Sequence, residues 1–100
     1  MFIAMNRFRI ARGREEAFEA LWRSRESHLD GVPGFREFHL LRGVTSDAET
    51  LYASHSVWES REAFEAWTRS EAFVKAHRQA RAPEGTYLDH PRLEAFDVVL

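Results

Sequence analysis

Apolar and polar residues along the chain follow two different periods, and each period predicts one kind of secondary structure. The first segment alternates: Phe2, Ala4, Asn6, Phe8 and Ile10 share one face, and Arg7 and Arg9 lie on the other. This is the period of a β-strand. After Gly13 the period becomes helical, and the helix is predicted to end before Asp30–Gly34. Its apolar stripe consists of Phe18, Leu21, Trp22, Leu29 and the exception Arg25.

The rest of the chain predicts three further strands and a second helical region. Phe35–Arg42 and Thr50–Trp58 are strand-like, and the turn-forming stretch Gly43–Asp47 between them predicts a hairpin. A helical region follows, then a loop, and Leu93–Leu100 is the last strand-like run. The order βαββαβ predicts the α+β class and a ferredoxin-like fold, with helices on one face of an antiparallel sheet. We expect a single domain over residues 1–100.

The second helical region contains two helix starts. Ser60 and Ser70 both have the character of N-caps, and Thr68-x-x-Glu71 is a further capping pattern at the second start. In an unbroken helix Trp67 and His77 would point ~80° apart and lie ~15 Å apart along the axis. A break between Thr68 and Ser70 would instead let an indole and an imidazole face one cavity. Such a pair suits a planar ligand with a metal at its centre.

Both faces of the predicted sheet are largely apolar. In Thr50–Trp58 the two faces carry Tyr52, Ser54, Ser56 and Trp58 on one side and Leu51, Ala53, His55 and Val57 on the other. Helices from the same chain cover one face of such a sheet. The other face needs a different cover, which predicts a homodimer that packs sheet against sheet into a barrel.

Composition excludes several classes of function. The 100 residues carry a formal net charge of −2, so no overall basic field attracts nucleic acid. There is no cysteine for disulfides or thiolate metal sites. No apolar run approaches the ~18 residues of a membrane span or forms a signal peptide, so we expect a cytoplasmic protein with no membrane partner. Histidines without an H-x-x-x-H spacing and glycines without a phosphate-binding motif argue against zinc and nucleotide sites.

Three motifs resemble a known family. They are N-R-F at Asn6–Phe8, P-G-F at Pro33–Phe35, and W-E-S-x-E-A-F-x-x-W-x-x-S-x-A-F-x-x-x-H from Trp58 to His77. Together they are similar to the antibiotic-biosynthesis-monooxygenase (ABM) superfamily, and within it to the IsdG-type heme-degrading monooxygenases. The resemblance implies a dimeric ferredoxin-like α+β barrel with a heme pocket in each subunit, between the helices and the sheet.

The resemblance also implies a catalytic trio and a reaction. Its matching residues are Asn6, Trp67 and His77, with His77 as the axial ligand to the heme iron. Heme would be substrate and cofactor together, and the porphyrin would be opened oxidatively with O2 and electrons from an external reductant. Arg25, on the apolar stripe of the first helix, either extends to solvent or binds a heme propionate, and Arg78 and Arg81 could serve the same end.

Each site residue also has a structural interpretation, and other functions stay open. Asn6 could be a structural amide, Trp67 a core aromatic and His77 a surface or core histidine. One alternative function is a cofactor-independent monooxygenase of the same superfamily that acts on a quinol or polyketide aromatic. Another is a non-catalytic small dimeric binding or stress-response protein.

Overall fold

The predicted order of strands and helices is confirmed, with the second helical region divided in two. The computed structural model describes residues 1–24, 29, 31–79 and 85–100, and only the backbone of residues 76–79. The elements are β1 (Phe2–Ala11), α1 (Glu15–Ser24), β2 (Phe35–Thr45), β3 (Glu49–Trp58), α2 (Arg61–Thr68), α3 (Glu71–Gln79) and β4 (Arg92–Asp97). Within these ranges no helix is long and apolar enough to cross a membrane.

The strands form one antiparallel sheet in the order β2-β3-β1-β4. This is the strand order of the ferredoxin-like α+β class that the sequence predicts. Residues directly opposite each other in an antiparallel sheet point to the same face. Since Phe2 lies opposite Trp58 and Phe8 lies opposite Tyr52, the aromatic residues of the two central strands share the inner face, which the helices cover.

Two strands end elsewhere than predicted. β2 continues past Gly43 to Thr45. Its pairing with β3 is irregular between Arg42 and Thr45, so Gly43 and Val44, predicted to be in the turn, lie within the strand. β4 ends at Asp97 rather than at Leu100, because Asp97 lies opposite Phe2, where β1 begins. Beyond that point the described pairing with β1 is a single hydrogen bond, from Val98 N to Met1 O at 2.9 Å.

The break in the second helical region is confirmed, and one hydroxyl group bonds to both helices that it separates. Ser70 Oγ donates to Trp67 O (2.6 Å) in the last turn of α2 and accepts from Phe73 N (3.2 Å) in the first turn of α3. Ser60 is the predicted N-cap of α2, since its side chain accepts from Ala63 N at 3.1 Å. The capping pattern at Thr68 was wrong: its hydroxyl donates to Glu65 O (2.7 Å), because Thr68 is still inside α2.

The core consists of two aromatic clusters on the inner face. The first cluster contains the buried residues Phe8, Ile10, Phe18 and Tyr52, with Trp22, Leu40 and Tyr87 packed against it. The second contains Phe2, Ala4 and Trp58, with Leu29, Val32, Phe35, Ala63, Phe64 and Trp67 packed against it. One cluster therefore lies beneath α1 and the other beneath α2, at opposite ends of the central strands.

Gly34, in the P-G-F motif, allows the start of β2 to approach α2 closely. Its φ is +82°, and its carbonyl accepts from Glu59 N at 2.8 Å. A Cβ at this position would lie 2.5 Å from Ala63 Cβ. Only glycine meets both the backbone and the contact requirement.

We predict that Gly34→Ala destabilises the protein more than Gly13→Ala does. Gly13 has a similar φ of +90° but nothing within 4 Å of its would-be Cβ. Both variants carry the roughly 1–2 kcal/mol cost of a left-handed alanine. Gly34→Ala adds a steric overlap with the helix, worth about 1–3 kcal/mol. Urea unfolding measures both, and equal losses in the free energy of unfolding would contradict the close approach.

Candidate functional site

The middle of the inner sheet face is a polar gap between the two clusters. Asn6 of β1 lies opposite Ser54 of β3 and Leu93 of β4, and Ser54 lies opposite Leu40 of β2. Asn6 and Ser54 are only half-buried and belong to neither group of buried core residues. Their neighbours on this face belong to the two clusters, Phe8 to the first and Ala4 to the second. We call this strip of the inner face the groove: it carries an amide and a hydroxyl, and aromatic residues lie on either side.

The amide of Asn6 makes no hydrogen bond to any of the residues that the structure describes. A nearby polar residue on the same face behaves differently: Ser56 Oγ donates to Ala4 O (3.1 Å) and accepts from Trp58 Nε1 (3.0 Å). An asparagine side chain offers two N–H donors and a carbonyl acceptor. The described contacts thus give Asn6 no structural partner.

Trp67 is part of the second cluster and also carries a polar group without a partner. Its ring lies 5.3 Å from that of Trp58 and 4.8 Å from that of Phe73, edge-on to the latter across the helix break. Its Nε1–H is buried and has no hydrogen-bond partner in the described part of the chain. Leaving such a donor unpaired costs about 1–3 kcal/mol. The core interpretation of Trp67 therefore accounts for its ring but not for its N–H.

The structure does not describe the side chains of the other predicted site residues. The backbone of His77 lies in α3, one helical turn after Phe73, but its imidazole is outside the described atoms. Arg25 and Arg81 lie outside the described residues, as does the side chain of Arg78. The roles predicted for these residues stay predictions.

Two of the remaining histidines lie on the wrong side of the sheet to serve the groove. His39 and His55 are directly opposite each other in the β2–β3 pair, and His55 lies opposite Met5 of β1. This places both on the outer face, because the side chains of successive residues alternate between faces and Asn6 is on the inner one. No described group of three or more His, Asp or Glu residues could hold a metal ion.

A cavity of about 390 Å³ adjoins the groove at Leu40. Its other lining residues are Glu19, Trp22 and Arg23 of α1, Phe38 and Arg42 of β2, and Tyr52 of β3. The rings of Trp22 and Phe38 stack at 5.7 Å with 16° between their planes, so that they form a compact apolar pair in the cavity lining. The volume lies within the ordinary range of small-molecule sites.

Charged groups also line this cavity, around the carboxylate of Glu19. It accepts from Tyr52 Oη at 2.5 Å, from Arg23 at 3.0 Å and from Arg42 at 3.2 Å. The Tyr52 hydrogen bond, supported by the two arginines, lowers the pKa of Glu19, although burial opposes the shift. Burial, together with the Glu19 bond, raises the pKa of Tyr52 to about 12. At neutral pH the carboxylate is therefore ionised and the phenol is neutral.

Sequence reasoning did not find this group of residues. The helical spacing of Glu19 and Arg23, four residues apart, was a visible signal for their ion pair. Tyr52 and Arg42 come from β3 and β2, and only the packing of α1 on the sheet brings them to Glu19.

Comparison with known proteins places the chain in a family. The family model described as "Antibiotic biosynthesis monooxygenase" matches residues 1–79. The chain belongs to the antibiotic biosynthesis monooxygenase family. The predicted family resemblance is confirmed, and so is the prediction, at the level of this family, that the chain is a monooxygenase.

Similar proteins within the family include heme oxygenases. The chain is 33% identical over 99 residues to a mycobilin-producing heme oxygenase of Mycobacterium tuberculosis, with 98% of this chain and 89% of the relative covered. It is 31% identical over 80 residues to a staphylobilin-producing heme oxygenase of Staphylococcus haemolyticus, with 78% and 74% covered. It also resembles the structure of the heme-degrader MhuD of Mycobacterium tuberculosis with two hemes in its active site, at a TM-score of 0.78, 31% identity and coverage of 100% and 97%.

We predict that Asn6→Val raises the free energy of unfolding by about 1 kcal/mol, because valine removes an amide without a described partner from an apolar strand face. Ser56→Val, two residues from Ser54 on the same strand face, is the matched variant. It should lower the free energy of unfolding by about 1–2 kcal/mol, since it breaks two hydrogen bonds. Thermal and urea unfolding measure both. A loss of stability in Asn6→Val as large as that in Ser56→Val would assign Asn6 to the scaffold.

Proposed function

We propose that this protein is a heme-degrading monooxygenase, which binds heme in the groove at Asn6 and opens the porphyrin oxidatively with O2 and external electrons. The observation that carries the proposal is the amide of Asn6, half-buried between two aromatic clusters without a partner among the described residues. The identity to heme oxygenases over most of the chain gives this groove a candidate ligand.

The described residues suit a large planar ligand that is mostly apolar. Aromatic side chains flank the groove, and its floor at Ser54 is small enough for a flat ring system to approach the sheet. The Nε1–H of Trp67, at the second cluster, is buried without a described partner, so a ligand reaches it only when the packing around it opens. Apolar flanks with a few convergent polar groups are the usual composition of a cofactor site.

Each predicted residue has a distinct role in this proposal. When bound, heme supplies an iron that activates O2 beside the ring that is to be oxidised. His77, as a neutral imidazole, holds the iron from α3. Asn6 would donate hydrogen bonds to an oxygen acceptor that enters the groove, Trp67 would contact the porphyrin with its ring, and Arg25 would bind a propionate.

We predict that substitution of His77 impairs hemin binding, whereas substitution of Asn6 impairs hemin degradation and leaves binding intact. The parent protein should give a saturable Soret shift at one hemin per chain, and His77→Ala should lose or strongly weaken it. Asn6→Ala should keep the Soret band and a near-parent melting temperature, yet bleach hemin about 10²–10³ times more slowly with ascorbate in air. This loss is typical of removing one donor that acts at the reacting atoms.

His39→Ala is the control for this experiment. Its imidazole is on the outer sheet face, so hemin binding should not change. An unchanged hemin spectrum in His77→Ala would move the ligand to another residue. A parent protein that binds no hemin would refute the proposal and leave the cofactor-independent oxygenase and the non-catalytic binding protein.

We also propose that the outer sheet face joins two copies of the chain. Its apolar residues include Ile3 and Phe96, which lie opposite each other in the β1–β4 pair, and the more peripheral Leu41. Leu41 is 42% exposed and Phe96 is 48% exposed in the single chain. Large exposed apolar side chains on one face of a sheet are typical of an interface.

We predict a homodimer at micromolar concentration, which Phe96→Glu should convert to monomer by placing a charge in the interface. Val74→Glu is the matched control, because Val74 is similarly exposed (45%) but lies on α3. Sedimentation velocity distinguishes the two states. A parent protein that sediments as a stable monomer would refute the dimer without affecting the proposed heme site.

A further inference from the structure

The cavity between α1 and β2 lies beside the groove and is in reach of a ligand bound there. Leu40 lines the cavity and lies in the same cross-strand row as Asn6, two strands away. Neighbouring strands are ~4.8 Å apart, so that the separation is ~10 Å. A porphyrin with its side chains is wider than this. A ring over Asn6 therefore extends toward the cavity if it lies along the row.

We infer that this cavity receives the carboxylate-bearing edge of the planar ligand, with Arg23 and Arg42 as two residues that bind its carboxylates. This inference rests on the proposed function and extends it to the orientation of the ligand. The stacked pair of Trp22 and Phe38 offers apolar surface to the ring, and Arg23 and Arg42 line the same cavity.

The charges of the cavity favour an anion. Two guanidinium groups share one carboxylate, that of Glu19, so the three side chains carry a net charge of +1. A guanidinium group has five N–H donors. Each of these two arginines has one described hydrogen bond to Glu19, and Arg42 also interacts with the Tyr52 hydroxyl, so each arginine keeps donors for a ligand.

Arg23 and Arg42 are more exposed than Glu19, which the sheet holds in place. The side chains of Arg23 and Arg42 are 70% and 65% exposed, and can reorient toward a ligand at little cost. Glu19 is only 22% exposed and is held by the 2.5 Å hydrogen bond from Tyr52. The anchored carboxylate pairs with the arginines in the free protein, and a ligand carboxylate competes with it for them.

Substitutions of opposite expected effect test this subsite. In hemin titrations followed by Soret absorbance and tryptophan quenching, the double variant Arg23→Gln/Arg42→Gln should bind hemin about tenfold more weakly, since it loses charged hydrogen bonds. Glu19→Gln should bind hemin several-fold more tightly, because it removes the competing charge and keeps an oxygen acceptor for Tyr52. Circular dichroism and thermal unfolding verify that each variant is folded.

Two controls test whether the changes in affinity come from the hemin carboxylates at this cavity. Arg36→Gln changes a β2 arginine that pairs with Glu59 (2.8 Å) away from the cavity, and should bind hemin as the parent does. Hemin dimethyl ester has no free carboxylates, so its affinity should be equal in the parent, the double variant and Glu19→Gln.

The outcomes distinguish the subsite from the proposed function. If hemin binds equally well to the parent and the double variant, or more weakly to Glu19→Gln, the subsite is refuted while heme binding stands. If the ester discriminates between the variants as hemin does, the effect is structural and the subsite is also refuted. If the parent binds neither porphyrin, the proposed function fails and the subsite fails with it.

Discussion

The pairing of β1 with β3 is the interaction on which the rest of the structure depends. Their register runs without interruption from Phe2 opposite Trp58 to Ala11 opposite Glu49. A slip of one residue would move the aromatic residues of a strand to the outer face. This register forms both clusters at once and leaves Asn6 opposite Ser54 between them. The groove therefore lies at the point on the inner face where neither aromatic cluster fills the space between the central strands and the helices.

The hydroxyl of Ser70 has a comparable role for the helices. It accepts from the backbone of α3 and donates to that of α2, so the chain changes direction between Trp67 and Phe73. The edge-on contact of these two rings then sets how α3 packs against α2. His77 follows Phe73 by one turn, so its helix position depends on this contact.

Several polar groups around the groove and its neighbouring cavity have fewer hydrogen-bond or ion-pair partners, among the described residues, than they could bind. The amide of Asn6 and the indole N–H of Trp67 lack described partners, and two exposed arginines share one carboxylate. Elsewhere in the described chain polar groups are matched more closely, as at Arg9, which pairs with both Glu49 and Asp89. Unsatisfied donors reduce stability in the free protein but leave hydrogen bonds for a ligand to form.

Local patterns in the sequence determined the strand faces, the order of elements and the helix break. Alternation assigns Asn6 to the face of Phe8, and the capping character of Ser70 interrupts the helix, because both effects act within a few residues of chain. The ends of β2 and β4 could not be predicted this way, since a strand ends where its neighbour stops offering hydrogen bonds. The cavity around Glu19 depends still more on packing: its hydrogen bond to Tyr52 joins residues 33 positions apart. Such a contact exists only once the sheet register and the seating of α1 on the sheet are both set, and neither is encoded in the spacing of these residues along the chain.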